Sequence, residues 1–345
     1  MYKYILLVLF VVLTSCANNS QTKKVENISE LSPFELFFQE IPIEPLLHKP
    51  YQMEIIDSIL ILADNIENRA LLLYNLEDAS FVRALSIGQG PNDVLSPIAI
   101  DVDENEQVIN ILQRQNGKCR KYKLKELISG CIQDCNSVDL GNSDRFTQIK
   151  NGYACIGFYE DALVTFFDES GKLESSLDLY TEYKFSDIAT KYKLFQGRIA
   201  FHNVSGCLML APSYASVVRF FLKDNEAWVQ TDSFCIGNKK MENRILNEKT
   251  PILHKSDIRY CIDICKSNNY FYMLYDGDDL GHNQNLEARY VLRFDAFGSL
   301  DCVYKVNPTI CDICVSEGDN IIYAVMIGKD GEYVLAKSQL KTILL

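Results

Sequence analysis

The chain has 345 residues, 48% of them hydrophobic and 11% aromatic, with 12 cysteines and a formal net charge of -12. An acidic excess of that size repels phosphate backbones, which excludes nucleic acid as a partner class. The apolar share supports a full globular core, and beyond the N-terminus no hydrophobic run is long enough to cross a bilayer.

Taken in chain order, Met1-Tyr2-Lys3-Tyr4 carries one positive charge and Ile5 to Leu13 is an unbroken apolar run. That run is too short for a membrane span and has the length of a signal-peptide core. Leu13-Thr14-Ser15-Cys16 follows and resembles a lipobox, the cleavage and lipidation signal of bacterial lipoproteins. The resemblance implies a signal peptide over residues 1–15 and a mature chain that starts at Cys16, carrying palmitate-type acyl chains on its thiol and amino group. An ordinary secretory signal with an incidental cysteine is the alternative. Residues 16–30, opening with Ala17-Asn18-Asn19-Ser20, are polar and read as a flexible tether. Ala17 stands where an Asp would mark inner-membrane retention in enterobacterial lipoproteins, so the outer membrane is expected. No acidic run follows the cysteine, which points to the periplasmic side without closing off surface exposure.

From residue 31 onward the chain reads as short strands. Ser58 to Leu62, Ala70 to Tyr74 and Phe81 to Leu85 are β-branched, aliphatic or aromatic runs separated by turn residues. They recur in groups. Ile100-Asp101-Val102, Ile262-Asp263-Ile264 and Cys311-Asp312-Ile313 each precede a polar turn and a second apolar run. Weaker copies centre on Glu54-Ile55, Gln148-Ile149 and Lys193-Leu194. The anchors at 54, 101, 148, 194, 263 and 312 are separated by 47, 47, 46, 69 and 49 residues. Six copies of a four-stranded unit at this period predict an all-β fold, a six-bladed β-propeller of antiparallel blades over residues 31–345. The last copy runs short of a fourth strand. Phe34 to Ile41 is spare at the other end, and is expected to pair near Tyr333 to Lys337 and close the ring.

Gly88-Gln89-Gly90-Pro91 lies between the first and second units. It resembles the Gly-x-Gly-Pro-Gly-Glu segment of the TolB-like six-bladed propeller lipoproteins of Gram-negative gut anaerobes, with Asn92-Asp93 in place of the final Gly-Glu. The resemblance implies the propeller fold and says little about activity.

Strand alternation places the blade-to-blade connections and the second-to-third-strand loops on one face. Gly88 to Asn92, Ser205 to Ala215, Gly237 to Ser256 and Asp276 to Asn283 are expected there as a contact surface. Asp276, Asp278, Asp279 and His282 are the residues singled out for binding a ligand or partner. The three aspartates also offer the oxygens that calcium takes, although their spacing departs from an EF-hand and a solvated acidic turn is the plainer reading. Asp101, Asp263 and Asp312 share one repeat position and could ring the channel, with hydrogen bonding the favoured role over cation binding. The eleven cysteines after Cys16 lack zinc-ribbon spacing and read as buried thiols or occasional disulfides. No nucleophile elbow, zinc-protease motif or phosphate loop occurs, so no catalytic residue is assigned.

Two functions follow. The first is a lipid-anchored, non-enzymatic envelope scaffold that binds a protein or carbohydrate-type ligand through its loop-rich face. The second, by fold analogy, is a metal-dependent hydrolase or lactonase at an acidic channel mouth.

Overall fold

The structure is a computed structural model that describes residues 23–340 apart from 45, 134, 160, 161, 186, 226 and 282–288. Residues 1–15, Cys16 and His282 lie outside the described residues. Six sheets stand around an axis: residues 52–86, 97–139, 143–177, 197–236, 261–305, and 310–339 with Gln39–Glu40. We number them blades 1 to 6. The inner strands of successive blades touch one another around the axis.

Each sheet is packed on both faces by its neighbours, so its second strand need not alternate. Val108–Gln113, Gly152–Gly157 and Cys207–Pro212 are buried at every position. The outer strand Leu173–Leu177, with solvent on one side, is mostly exposed. The hairpins to the outer strands of blades 3 and 5 use one device. Asp168 Oδ1 accepts the amides of Ser170 and Lys172 at 2.8 and 2.9 Å. Asp295 Oδ1 accepts those of Phe297 and Ser299 at 2.9 and 2.8 Å. A glycine at positive φ, Gly171 or Gly298, completes each turn.

Six apolar clusters fill the gaps between adjacent blades. Five join blades 1 to 6 in sequence. The remaining one packs Met53, Leu60 and Leu62 of blade 1 against Tyr323, Val325 and Leu335 of blade 6. The ring is therefore closed.

Closure uses the N-terminal segment, as expected, and extends further than expected. Gln39 and Glu40 pair antiparallel with Lys337 and Ala336 and supply the fourth strand of blade 6. Phe34 and Glu35, expected on the same strand, instead run parallel to Tyr304 and Lys305 of blade 5. Lys23–Val25 runs parallel to Phe234–Ile236 on blade 4. Ile28 and Leu36 are buried in the clusters between blades 4 and 5 and between blades 5 and 6. Residues 23–41 thus form a strap across three blades; of the tether expected over 16–30, residues 23–30 belong to that strap and the rest lies outside the described residues.

Blade 4 corrects the repeat. Lys193-Leu194 is not on an inner strand but in the helix Ile188–Phe195, capped by Asp187, whose Oδ1 accepts the Thr190 amide at 2.7 Å. The helix buries Tyr192, Leu194 and Phe195 against blades 3 and 4, and the inner strand starts at Gly197. The extra chain length consequently sits in two connections, 178–196 and 237–260, rather than one.

Candidate functional site

The expected clustering of long loops holds for blades 4 and 5. The connection between them contains the helix Lys240–Ile245 and packs on both second-to-third-strand loops. Tyr260 N donates to Ser213 O at 2.8 Å, and Glu242 Oε1 accepts from the Ser216 amide and hydroxyl, both at 2.7 Å. Leu280 N donates to Asp257 O at 2.9 Å and Gly281 N to Lys255 O at 2.7 Å.

Arg244 braces the connection from inside. Its guanidinium reaches Glu248 at 2.6 Å, Asp257 at 2.5 Å and the Ile252 carbonyl at 2.9 Å. Asp257 also accepts the His254 amide at 2.7 Å. Charge-assisted bonds to a buried carboxylate are among the stronger polar contacts available. The brace holds Leu246 and Ile252 outward, 53% and 57% exposed. Sequence reading singled out neither, because Met241, Ile245, Leu253 and Ile258 lie in the same insertion and nothing in the sequence marks Leu246 and Ile252 as the exposed ones.

The acidic loop does not converge. Asp276 is fully buried 3.8 Å from Arg259, Asp278 pairs with Arg289, and Asp279 lies 3.6 Å from Lys240. Three carboxylates face three different cations, and each of these contacts fastens the loop. Among the described residues, no group of three or more His, Cys, Asp or Glu is placed to hold a metal ion.

Two other expected segments do not join this cluster. Cys207–Pro212 is a buried strand, so the segment Ser205 to Ala215 is not a loop. Ser205 lies in the turn at the opposite face, where its Oγ donates to Ala296 O at 2.7 Å; only residues 213–216 reach the loop-rich face. Gly88 to Asn92 is held at the outer edge of blade 2, where Arg120 donates to Pro91 O at 2.7 Å and to Asp93 O at 2.8 Å.

The channel holds charges that sequence reading only half anticipated. Asp101 Oδ2 accepts the Gln148 amide of blade 3 at 2.6 Å, and Oδ1 faces Lys266 at 3.4 Å. Asp263 Oδ2 accepts the Ile313 amide of blade 6 at 3.4 Å, and Oδ1 faces Arg198 at 3.4 Å. Inner strands splay too far apart to pair by backbone, and a carboxylate on one reaches the amide of the next. Gln52 does the same in blade 1, accepting the Ile100 amide at 3.0 Å. Arg145, Arg198 and Lys266 balance Glu54, Asp101, Asp263 and Asp312 around a small central cavity of about 30 Å³, room for a water or two. Burial, and then Asp101, push the Glu54 carboxyl up to about 8. Burial and then Asp263 hold Asp312 well above the usual carboxylate range. Burial, and then the facing Arg198, lower the Arg145 guanidinium to about 10.

All eleven cysteines among the described residues are free, and eight are buried. Burial raises the thiols of Cys155 and Cys207 to about 12, so both are neutral core side chains.

The model of the TolB-like 6-blade propeller family matches residues 38–318. The chain belongs to that family. Within this TolB-like propeller the Gly-x-Gly-Pro segment has a local explanation. Gly90 N donates to Asp93 Oδ2 at 2.9 Å, and a Cβ at Gly88 or Gly90 would sit 2.6 or 2.7 Å from that oxygen. The strap residues 23–37 precede the matched region. Among solved structures, a protein of Bacteroides fragilis NCTC 9343 described as exported is 12% identical, with a TM-score of 0.64 over 93% of this chain and 99% of that one. A protein of unknown function from Bacteroides thetaiotaomicron VPI-5482 is 9% identical, with a TM-score of 0.51 over 90% and 74%. The WD40 repeats of RRP9 are 9% identical, with a TM-score of 0.52 over 89% and 100%. At these identities the likeness is one of fold. No curated protein matches the chain. Among the described residues no helix is long and apolar enough to cross a membrane.

Proposed function

We propose that this TolB-like propeller is a lipid-anchored binding scaffold of the cell envelope, held by acyl chains on Cys16 in the outer membrane, that engages a protein partner through the loops of blades 4 and 5. The observation that carries the reading is the Arg244 brace, which fixes an insertion while presenting Leu246 and Ile252 to water. Rigid loops that display aliphatic side chains suit contact with another protein surface. They suit a carbohydrate less, because sugars favour exposed aromatic platforms and polar rims. The exported Bacteroides fragilis relative and the lipobox at Leu13-Thr14-Ser15-Cys16 support the location. A channel hydrolase is less favoured, since Asp101 and Asp263 are committed to the next blade's amides.

One fractionation tests both parts. Wild-type protein and Leu246→Asp/Ile252→Asp should sediment with membranes and incorporate labelled palmitate, whereas Cys16→Ala should do neither. On capture from solubilised native envelopes, wild type should retain a protein that the double variant loses by roughly tenfold, about 1.4 kcal/mol. Palmitate in Cys16→Ala would overturn the anchor, and equal capture by the double variant would overturn the face.

A further inference from the structure

On the face opposite the braced loops, blades 3 and 4 part to leave a crevice of about 370 Å³. We propose that it is a binding site for a small amphipathic anion, a flat apolar body bearing one carboxylate, sulfonate or phosphate group. The site is independent of the partner face and stands on different residues.

The floor is apolar and fixed. Ile149, Phe201 and Trp228 line it. Trp228 is stacked on Phe166, with centroids 4.8 Å apart and planes 10° from parallel, and meets Phe201 edge-on at 6.3 Å. A ring held on two sides keeps its pocket open without a ligand. The indole Nε1 is buried and has no acceptor among the described residues, an unusual condition for a Trp only 8% exposed.

The rim supplies the charge. On one side Lys223 and Glu174 face each other at 3.7 Å and neutralise one another. On the other side Lys150 is exposed at the turn of blade 3 and has no ion pair among the described residues. Lys150, with Ile149 and Phe201, also walls a second and more polar hollow of about 280 Å³ toward the channel mouth. In that hollow the other cation, Lys266, is committed to Asp101. One uncommitted ammonium therefore stands at the junction of an apolar crevice and a polar hollow. A ligand that fills the first and places its anionic group at the junction satisfies both. A crevice of this size takes a one- or two-ring body.

Trp228 is the only tryptophan of the chain, so its emission reports this crevice alone. The test uses the full protein with 4-nitrobenzoate and its uncharged isostere 4-nitrobenzamide, both quenchers of indole emission. The carboxylate should quench Trp228 saturably and bind roughly tenfold tighter than the amide. Lys150→Met, at an exposed turn where folding is undisturbed, should remove that preference while leaving amide binding within about twofold. Quenching that does not saturate, or a carboxylate preference that survives in Lys150→Met, would overturn the proposal.

Discussion

Glu54 shows how the channel sets a residue's chemistry. Its carboxyl has one side-chain hydrogen bond, from Gln52 at 3.1 Å, and stands near Asp101 and Asp263, with Lys266 the opposing cation. Burial and these neighbours keep it protonated up to about pH 8, whereas in the unfolded chain it ionises near 4.3. A carboxyl raised on folding contributes stability that is complete below the unfolded value and is lost as pH rises through the folded one. Glu54→Gln should therefore gain on wild type between pH 5 and pH 8. The difference in melting temperature should grow by roughly 2 °C or more. A difference that stays flat or shrinks with pH would show that Glu54 is ionised in the fold. Asp101, Asp263 and Asp312 were read as equivalents, but the register separates them: Asp263 and Asp312 directly follow the irregularity in their inner strands, a place that Ala99 takes in blade 2, and Asp101 lies two residues further along. Their hydrogen-bonding role was anticipated, but not the partner, because the distance from a carboxylate to the next blade's amide depends on how the inner strands splay. In the basic half of the set, Arg145 and Arg198 share a position, each four residues before the last pair of its blade's first hairpin, while Lys266 is itself the last pair of blade 5.

Among the elements, the strap is the least expected. Residues 39–41 could be anticipated because blade 6 lacks a fourth strand and an open edge must be covered. The contacts at 23–25 and 34–35 could not. They are two- and three-residue parallel pairings without a period, and Lys23-Lys24-Val25 is too polar to read as a strand. Their anchors are Ile28 and Leu36, both 2% exposed. Truncating such a residue to alanine costs about 2–5 kcal/mol. Deleting residues 23–41 removes both anchors and bares the outer strands of blades 4, 5 and 6. The melting temperature should fall by roughly 5 °C or more and the variant should self-associate through the bared edges. A monomeric deletion variant that melts with wild type would mean that the strap only decorates the ring. The helix Ile188–Phe195 was hidden for a related reason. It is short, it lies close to where a constant repeat would put a strand, and its buried Tyr192, Leu194 and Phe195 look equally apolar in either state.

At the scale of the whole molecule, the ring was readable because its period is set by mechanics that every blade shares. Four strands and their turns consume a nearly fixed length, and both faces of each sheet must be apolar. What the ring does is written in its departures from that period: the two long connections flanking blade 4, and the crevice between blades 3 and 4. The braced connection between blades 4 and 5 is the departure that presents aliphatic side chains on a rigid support, which is why it is the face proposed for docking. In-cell photocrosslinking tests that most directly, with benzoylphenylalanine in place of Leu246 or Ile252, and Phe81 on the outer strand of blade 1 as the control position. A docking face in blades 4 and 5 predicts one discrete protein adduct, common to positions 246 and 252 and absent at 81. The same adduct from position 81, or none from 246 and 252, would contradict it.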